Sequence, residues 1–433
     1  MDQPNVVIVL CDTLRRDVLD VYGGPVSTGP LLEALGGKAV TYLGYSNSFW
    51  TIPSHFSFFT GLPVSKHGVH EAQGRNTIEA VMEIGRQYRG LMLAWELRRK
   101  GYETVGISNN LAVSHMSGLD RGFRLFVTYD IIYRPRPGLD LVEWLDLREI
   151  GKRYNMSALK ALVGEARRKG LRQALSLARL YVKARLIWLF QSDYITAKGA
   201  DVTISVLRFM QLAEPFFIFI NLMEAHEPYY YADKFSYRYI KCSRCIQREF
   251  QGYLRSARAC IRASAEIAKI LQERGTLQRT LFVFTSDHGQ EFAEHGALGH
   301  LSGHLYEEDI GIPIIVKPPD GLELAAGHCY VGLHELYGLT VAAASGERKW
   351  SPSCGPGIAE SYEGVVGDRP NPEAGRGIRR VAVFKGDRKV AYRLDGGNPV
   401  MEEVAVAGRP LDPRSAEAKG AAKELGSYIT ALQ

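Results

Sequence analysis

The chain predicts an α/β fold: a three-layer sandwich around a mostly parallel central sheet, followed by a small carboxyl-terminal α+β subdomain. Three observations carry this. Short apolar, β-branched runs recur at 5–10, 104–108, 216–222, 281–286 and 312–316; runs of this length read as strands buried on both faces. Segments suited to helix fall between them, at 91–100, 200–212 and 254–274, and strand–helix alternation places helices on the faces of a parallel sheet. After residue 345 the pattern changes. Ser351-Pro-Ser-Cys-Gly-Pro-Gly357 reads as a loop, and Arg380–Phe384 and Val390–Leu394 flank a Lys-Gly-Asp-Arg turn as a hairpin. A helix over 414–432 ends the chain. The predicted organisation is a main domain over 1–345, carrying a basic helical insertion at about 134–193, and a small subdomain over 346–433. There are no internal repeats.

Composition sets the broad class. The chain has 433 residues, 46% hydrophobic and 23% charged, a globular balance that excludes a disordered or collagen-like protein. It has no run of 18 apolar residues, so no membrane-spanning helix is predicted. Met1-Asp-Gln-Pro4 leads into the first strand without the charged and apolar regions of a signal peptide, which predicts a cytoplasmic protein. Six cysteines are present. Cys242-Ser-Arg-Cys245 lacks the second pair that a zinc site needs; a short disulfide, a redox pair or no role all remain open. Cys11, at the end of the first strand, reads as core.

The insertion is the most basic stretch. Residues 151–190 hold ten Lys or Arg and one acid, Glu165, while the whole chain is only +6. Leu171, Leu175, Ala178, Val182, Leu186 and Leu189 recur at three and four, an apolar helical stripe. A core-packed or dimer-forming helix with a solvated basic face fits it. So does a helix on an anionic membrane surface, or a lid that attracts an anionic substrate. No nucleic-acid-binding module is visible.

Candidate chemistry sits at strand ends. Leu281–Phe284 runs into Thr285-Ser-Asp-His-Gly289, so Asp287 and His288 fall at a strand's carboxyl end, where open α/β sheets place their sites. A hard oxygen beside an imidazole suits Zn or Mn, although a polar turn would read alike. Asn5–Leu10 runs into Asp12, a second carboxylate at a strand end or a helix N-cap. In Thr51-Ile-Pro-Ser-His55, Pro53 suits the first turn of a helix. Thr51 would then lie just before that helix, as a simple cap or as a hydroxyl where free N–H groups favour an anion. A hydroxyl held there beside a metal can ionise and attack phosphorus or sulfur.

Together these segments resemble the sulfatase family of the alkaline-phosphatase superfamily. The matching order is Asn5-Val-Val-Ile-Val-Leu-Cys-Asp-Thr-Leu-Arg15, Thr51-Ile-Pro-Ser-His55 with Thr60-Gly-Leu-Pro63 and His67-Gly-Val69, Met223-Glu-Ala-His-Glu-Pro-Tyr229, Asp287-His-Gly-Gln290 with Glu294-His-Gly296 and Gly299-His300, and Tyr306–Val316. The resemblance implies a metal held by Asp12, Thr51, Asp287 and His288, with Thr51 as nucleophile. It implies that His226 touches the substrate's anionic oxygens or protonates the leaving group. It places His300 or His304 against the substrate, with the spacing favouring His300. His55 takes the position of a family Arg as a candidate substrate contact. Asn109 follows the strand at 104–108 where relatives contact substrate, although a loop Asn is the commoner explanation. His67 and His295, in His-Gly turns, read as structural. One divalent ion is implied, Zn or Mn, with Ca or Mg as alternatives. A second ion is left open, with Glu224, His226 and His300 as candidate ligands.

The departures bear on the substrate. Family members that hydrolyse sulfate esters carry Cys or Ser, oxidised to formylglycine, where this chain has Thr51; threonine cannot give that aldehyde. A Thr nucleophile is similar to members that cleave or transfer phosphoryl groups. The expectation is a metal-dependent hydrolase of phosphate mono- or diesters or phosphonate esters, with a phosphoryl-group transferase as one alternative. A sulfuric ester hydrolase and a non-catalytic membrane-associated adaptor are the others. The implied partner is an anionic phosphate- or sulfate-ester substrate.

Overall fold

The computed structural model describes residues 3–70, 87–128, 198–227, 229, 243–300, 302–362, 365–366, 369–370, 379–394 and 399–430. The chain divides into two compact units, 1–129 with 199–433, and 130–198. The basic stretch at 151–190 lies outside the described residues, as does Cys242.

Eight strands form the central sheet: β1 (Asn5–Cys11), β2 (Val40–Tyr45), β3 (Glu103–Ser108), β4 (Leu125–Thr128), β5 (Phe216–Leu222), β6 (Thr280–Thr285), β7 (Gly311–Lys317) and β8 (Tyr330–Gly332). Their order is β8-β2-β7-β6-β1-β5-β3-β4. β1 pairs in parallel with β5 and β6, β3 with β4 and β5, and β2 with β8. Only β7 runs against its neighbours. The five predicted strands are all present. β2, β4 and β8 lie nearer the sheet edges or are short, and their weaker apolar runs did not announce them.

Alternation along β1 builds the three layers. Val7, Val9 and Cys11 enter one core cluster, and Val6, Ile8 and Leu10 enter another, as successive side chains on a strand must point to opposite faces. α3 (Ala200–Phe209) and α4 (Ser243–Glu273) cover the first face through residues such as Leu207, Tyr253, Ala257, Ile261 and Leu271. α1 (Thr51–Thr60), α2 (Leu93–Arg99) and α5 (Glu335–Ala344) cover the second through Phe56, Phe59, Leu93, Leu97, Leu336 and Leu339. α4 starts eleven residues before its predicted beginning, because its polar first turns carry few apolar residues to signal a face.

A separate antiparallel sheet follows: β9 (Gly357–Ser361), β10 (Arg379–Lys385), β11 (Arg388–Leu394), β12 (Val400–Val406) and β13 (Arg409–Pro410). The predicted hairpin is β10–β11, in register from Arg379–Leu394 to Lys385–Arg388. One face packs on α6 (Ala416–Thr430), where Val383, Val390 and Val404 meet Ala418, Ala421 and Leu425. From the other face Phe384 stacks on Tyr45 with ring centroids 3.8 Å apart. Buried charges reinforce the join: Glu307 takes Arg16 on one side and Lys389 on the other, with Lys389 also on Glu403.

Cys329 and Cys354 form a disulfide that no spacing rule announced, and Cys245 is also disulfide-bonded. Cys11 is buried core, as expected, beside Cys260. No helix among the described residues is long and apolar enough to cross a membrane.

Candidate active site

The parallel strands converge on one edge. Asp12 follows β1, Asn109 and Asn110 follow β3, His226 follows β5, and Asp287 and His288 follow β6. Thr51 opens α1, the first helix after β2. These strands share a direction, so their carboxyl ends gather the polar residues at the site edge expected for this architecture.

Asp12, Asp287 and His288 are fully buried, and one ligand atom from each lies within 4.8 Å of the others. His288 Nδ1–H donates to the Gly289 carbonyl at 2.8 Å, which leaves the Nε2 lone pair facing inward. Nε2 lies 3.8 Å from Asp12 Oδ1, 3.5 Å from Asp287 Oδ2 and 3.3 Å from Thr51 Oγ1. The outer carboxylate oxygens are held: Asn110 Nδ2 donates to Asp12 Oδ2 at 2.7 Å, and the Thr13 and His288 backbone N–H groups donate to Asp287 Oδ1 at 3.2 and 2.9 Å. The inner ones, Asp12 Oδ1 and Asp287 Oδ2, are buried and have no donor at hydrogen-bonding distance among the described residues. Leaving such atoms unsatisfied is costly. A cation between them satisfies both, and two carboxylates, an imidazole lone pair and a hydroxyl form a donor set that fits one divalent metal.

The electrostatics agree. Burial, then the charge of Asp287, pushes Asp12 up to about 8, against the pull of His288 and Asn110. Burial pushes Asp287 up to about 7 and lowers His288. Two carboxyls that disfavour their own negative charge, beside a neutral imidazole, are an arrangement that a positive ion can complete.

Local backbone explains the placement. Thr13 has φ +60°, a left-handed conformation that costs a β-branched residue energy. Three contacts hold it: its amide to Asp287, its hydroxyl to the Ala225 carbonyl at 2.9 Å, and its carbonyl from the Tyr253 hydroxyl at 2.9 Å. The chain turns here without starting a helix, so Asp12 is not an N-cap. Gly289 is required by close approach. A Cβ there would stand 2.1 Å from the Glu308 carbonyl oxygen.

Thr51 is the first residue of α1 and Trp50 is the N-cap, without a side-chain cap bond. The hydroxyl expected just before the helix therefore sits within its first turn and makes no cap. All ten residues of α1 are buried, so the hydroxyl projects from a fixed platform whose free N–H groups favour an anion.

His55 is wholly buried one turn on. Its Nδ1–H donates to the Thr51 carbonyl at 2.8 Å and its Nε2 accepts from Asn221 at 3.2 Å, so both ring nitrogens are engaged by protein. Burial pushes it down to about 3. This neutral ring steadies α1 behind Thr51. Asn109 accepts from Thr203 Oγ1 at 3.4 Å, and its neighbour Asn110 is the residue on Asp12. Sequence reasoning did not single out Asn110, because a strand end does not say which of two adjacent Asn residues reaches Asp12.

His300 lies beside His288, and His226 lies beside His300. The His300 ring centroid is 4.7 Å from that of His288 and 5.3 Å from that of His226. Their carboxylate is Glu227, missed in the sequence although adjacent to His226. It lies 3.1 Å from His226 Nδ1 and 4.0 Å from His300 Nδ1. Glu224, a candidate ligand for a second ion, accepts the Ala200 N–H at the start of α3 through Oε1, at 2.8 Å. His304 turns elsewhere, donating to Glu291 Oε1 at 2.7 Å. No described hydrogen bond, ion pair or ring contact joins it to Thr51, His226 or His288. His67 is fixed by Ser57 and the Val69 N–H, and His295 stacks on Tyr306.

The family model described as Sulfatase matches residues 4–326. Among solved structures, the chain is similar to a phosphonate monoester hydrolase of Silicibacter pomeroyi, with TM-score 0.60 and 14% identity over 99% of this chain and 95% of that one. It is similar to a phosphonate monoester hydrolase of Agrobacterium radiobacter, with TM-score 0.58 and 15% identity over 100% and 96%. A 2-O GAG sulfatase gives TM-score 0.58 and 14% identity over 100% and 91%. No curated protein matches the chain in sequence. Structural likeness at these identities speaks to the fold, while the family match spans well over half of the chain. The chain belongs to the sulfatase family.

Proposed function

We propose that this sulfatase-family hydrolase is metal-dependent and cleaves phosphate or phosphonate esters, with Thr51 as the nucleophile. The observation that carries the reading is Thr51 Oγ1, uncapped at the start of a buried helix and 3.3 Å from the inward-facing nitrogen of His288. Asp12, Thr51, Asp287 and His288 would hold one divalent cation, Zn or Mn by the chemistry of the set. Such an ion lowers the pKa of a bound hydroxyl and neutralises charge on a phosphoryl oxygen. The chain's own residues supply the rest. The Thr51 oxygen attacks phosphorus in line, forming a phospho-threonyl ester as the leaving alcohol departs. His226 or His300 gives the departing alcohol its proton, and water then cleaves the phospho-threonyl bond, restoring the Thr51 hydroxyl and releasing phosphate from a monoester, a phosphate monoester from a diester, or phosphonate. The N–H groups at the start of α1 orient the anion. Thr51 supports phosphorus over sulfur because its oxidation cannot give an aldehyde.

Hydrolysis of aryl phosphate mono- and diesters, aryl phosphonate and aryl sulfate, with Zn or Mn supplied, tests this. Phosphoryl turnover that falls at least about 10³-fold in Thr51→Ala, comparable to losing all nucleophilic assistance, supports it. Sulfate turnover alone, or phosphoryl turnover unchanged in Thr51→Ala, overturns it.

A further inference from the structure

Glu291, His304 and Asp309 form a second polar cluster, separate from the Thr51 group, in which one ligand atom from each lies within 4.8 Å of the others. Glu291 and Asp309 are fully buried. Glu291 Oε1 accepts from His304 Nδ1 at 2.7 Å and from Ser302 Oγ at 3.0 Å. Its other oxygen, Oε2, has no donor among the described residues, nor has either oxygen of Asp309. Three carboxylate oxygens without donors among the described residues thus belong to one cluster with the half-buried His304 imidazole. Hydrogen bonding inside the cluster meets one acceptor of four, and a buried carboxylate without donors is among the costlier features a fold can carry.

We propose that Glu291, His304 and Asp309 bind a divalent cation, Zn or Mn, at a structural site additional to the catalytic one. Two carboxylates and an imidazole match the ligand preferences of those ions, and Ser302 already braces the Glu291 carboxylate. The position explains what such an ion does. Glu291 pairs with Gly299 in a short antiparallel ladder, and His300 follows directly. Asp309 belongs to the turn Glu307–Ile310, whose Asp309 carbonyl accepts the Gly289 N–H at 2.6 Å. A cation here clamps the loop carrying His300 to the segment that backs Asp287 and His288. Without one, burial and the Glu291 charge push Asp309 well above the usual carboxylate range, while His304 draws Glu291 below it.

Metal content of the full chain, stripped with chelator and then equilibrated with Zn or Mn, is the test. A chain carrying Asp12→Asn and Asp287→Asn isolates the second cluster from the catalytic ligands. It should retain metal, and adding Asp309→Asn should remove one equivalent. His304→Ala in the same background is the second variant, at a partly exposed position, and should also remove one. Binding of no metal by the Asp12→Asn, Asp287→Asn chain overturns the proposal. So does an unchanged count on adding His304→Ala and Asp309→Asn, which would place a shared proton between Glu291 and Asp309 instead.

Discussion

Removing the cation from the Asp12–Asp287 pair should make the protein more stable at pH 5.5 than at pH 8, the reverse of ordinary acid denaturation. Both carboxyls are fully buried, and burial pushes Asp12 up to about 8 and Asp287 up to about 7. In the unfolded chain both ionise near pH ~4. Between these values the folded, metal-free chain holds protons that the unfolded chain has released. Stability from this difference is fully present below the unfolded value, falls progressively as pH rises above it, and is gone once pH has passed through the folded values of about 7 and 8. Each retained proton is worth about 1.4 kcal/mol per pH unit, so the pair weakens the metal-free protein by roughly 2 to 5 kcal/mol between pH 5 and 7. If the proposed metal site is right, metal should abolish the trend, because the ionised carboxylates would be its ligands. The assay is urea unfolding of chelator-treated protein from pH 5 to 8, repeated with Mn or Zn and with Asp12→Asn, Asp287→Asn. The reasoning is refuted if metal-free protein is at least as stable at pH 8 as at pH 5.5, or if the Asn variant keeps the same slope.

Two further outcomes follow from single contacts. Asn110→Ala removes the 2.7 Å bond to Asp12 Oδ2; by analogy with other ligand-orienting partners it should weaken metal binding about 10- to 100-fold. Asn109→Ala should leave affinity near native, and competition with a chromophoric chelator reads both; equal affinities would sink the assignment. Gly289→Ala forces a Cβ to within 2.1 Å of the Glu308 carbonyl. It should cost at least about 3 kcal/mol in denaturant unfolding, and a loss under about 0.5 kcal/mol would show that the approach relaxes freely.

The fold was legible where burial is two-sided. β1, β5 and β6 are apolar runs with every residue buried, so composition alone announces them. β4 has three half-buried residues and one exposed, and β8 is three residues long; neither offers a pattern to read. The hairpin was legible from its turn, and the long α4 only from the residue where its apolar stripe begins. The Cys329–Cys354 disulfide was not, since pairing depends on where two loops meet.

By itself, the sequence determined the chemistry of the candidate site and its address: Asp12, Asp287 and His288 at strand ends and Thr51 near a helix start, because ligand types and strand boundaries are local properties. Tertiary structure decided what each side chain faces. It committed His55 to the Thr51 carbonyl and Asn221, put Asn110 on Asp12 and Asn109 with Thr203, set Glu227 beside His226 and His300, and turned His304 to Glu291. The reason is physical. Neighbouring residues at a strand end differ by one backbone rotation, and only packing against the opposite layer fixes which of them points into the site.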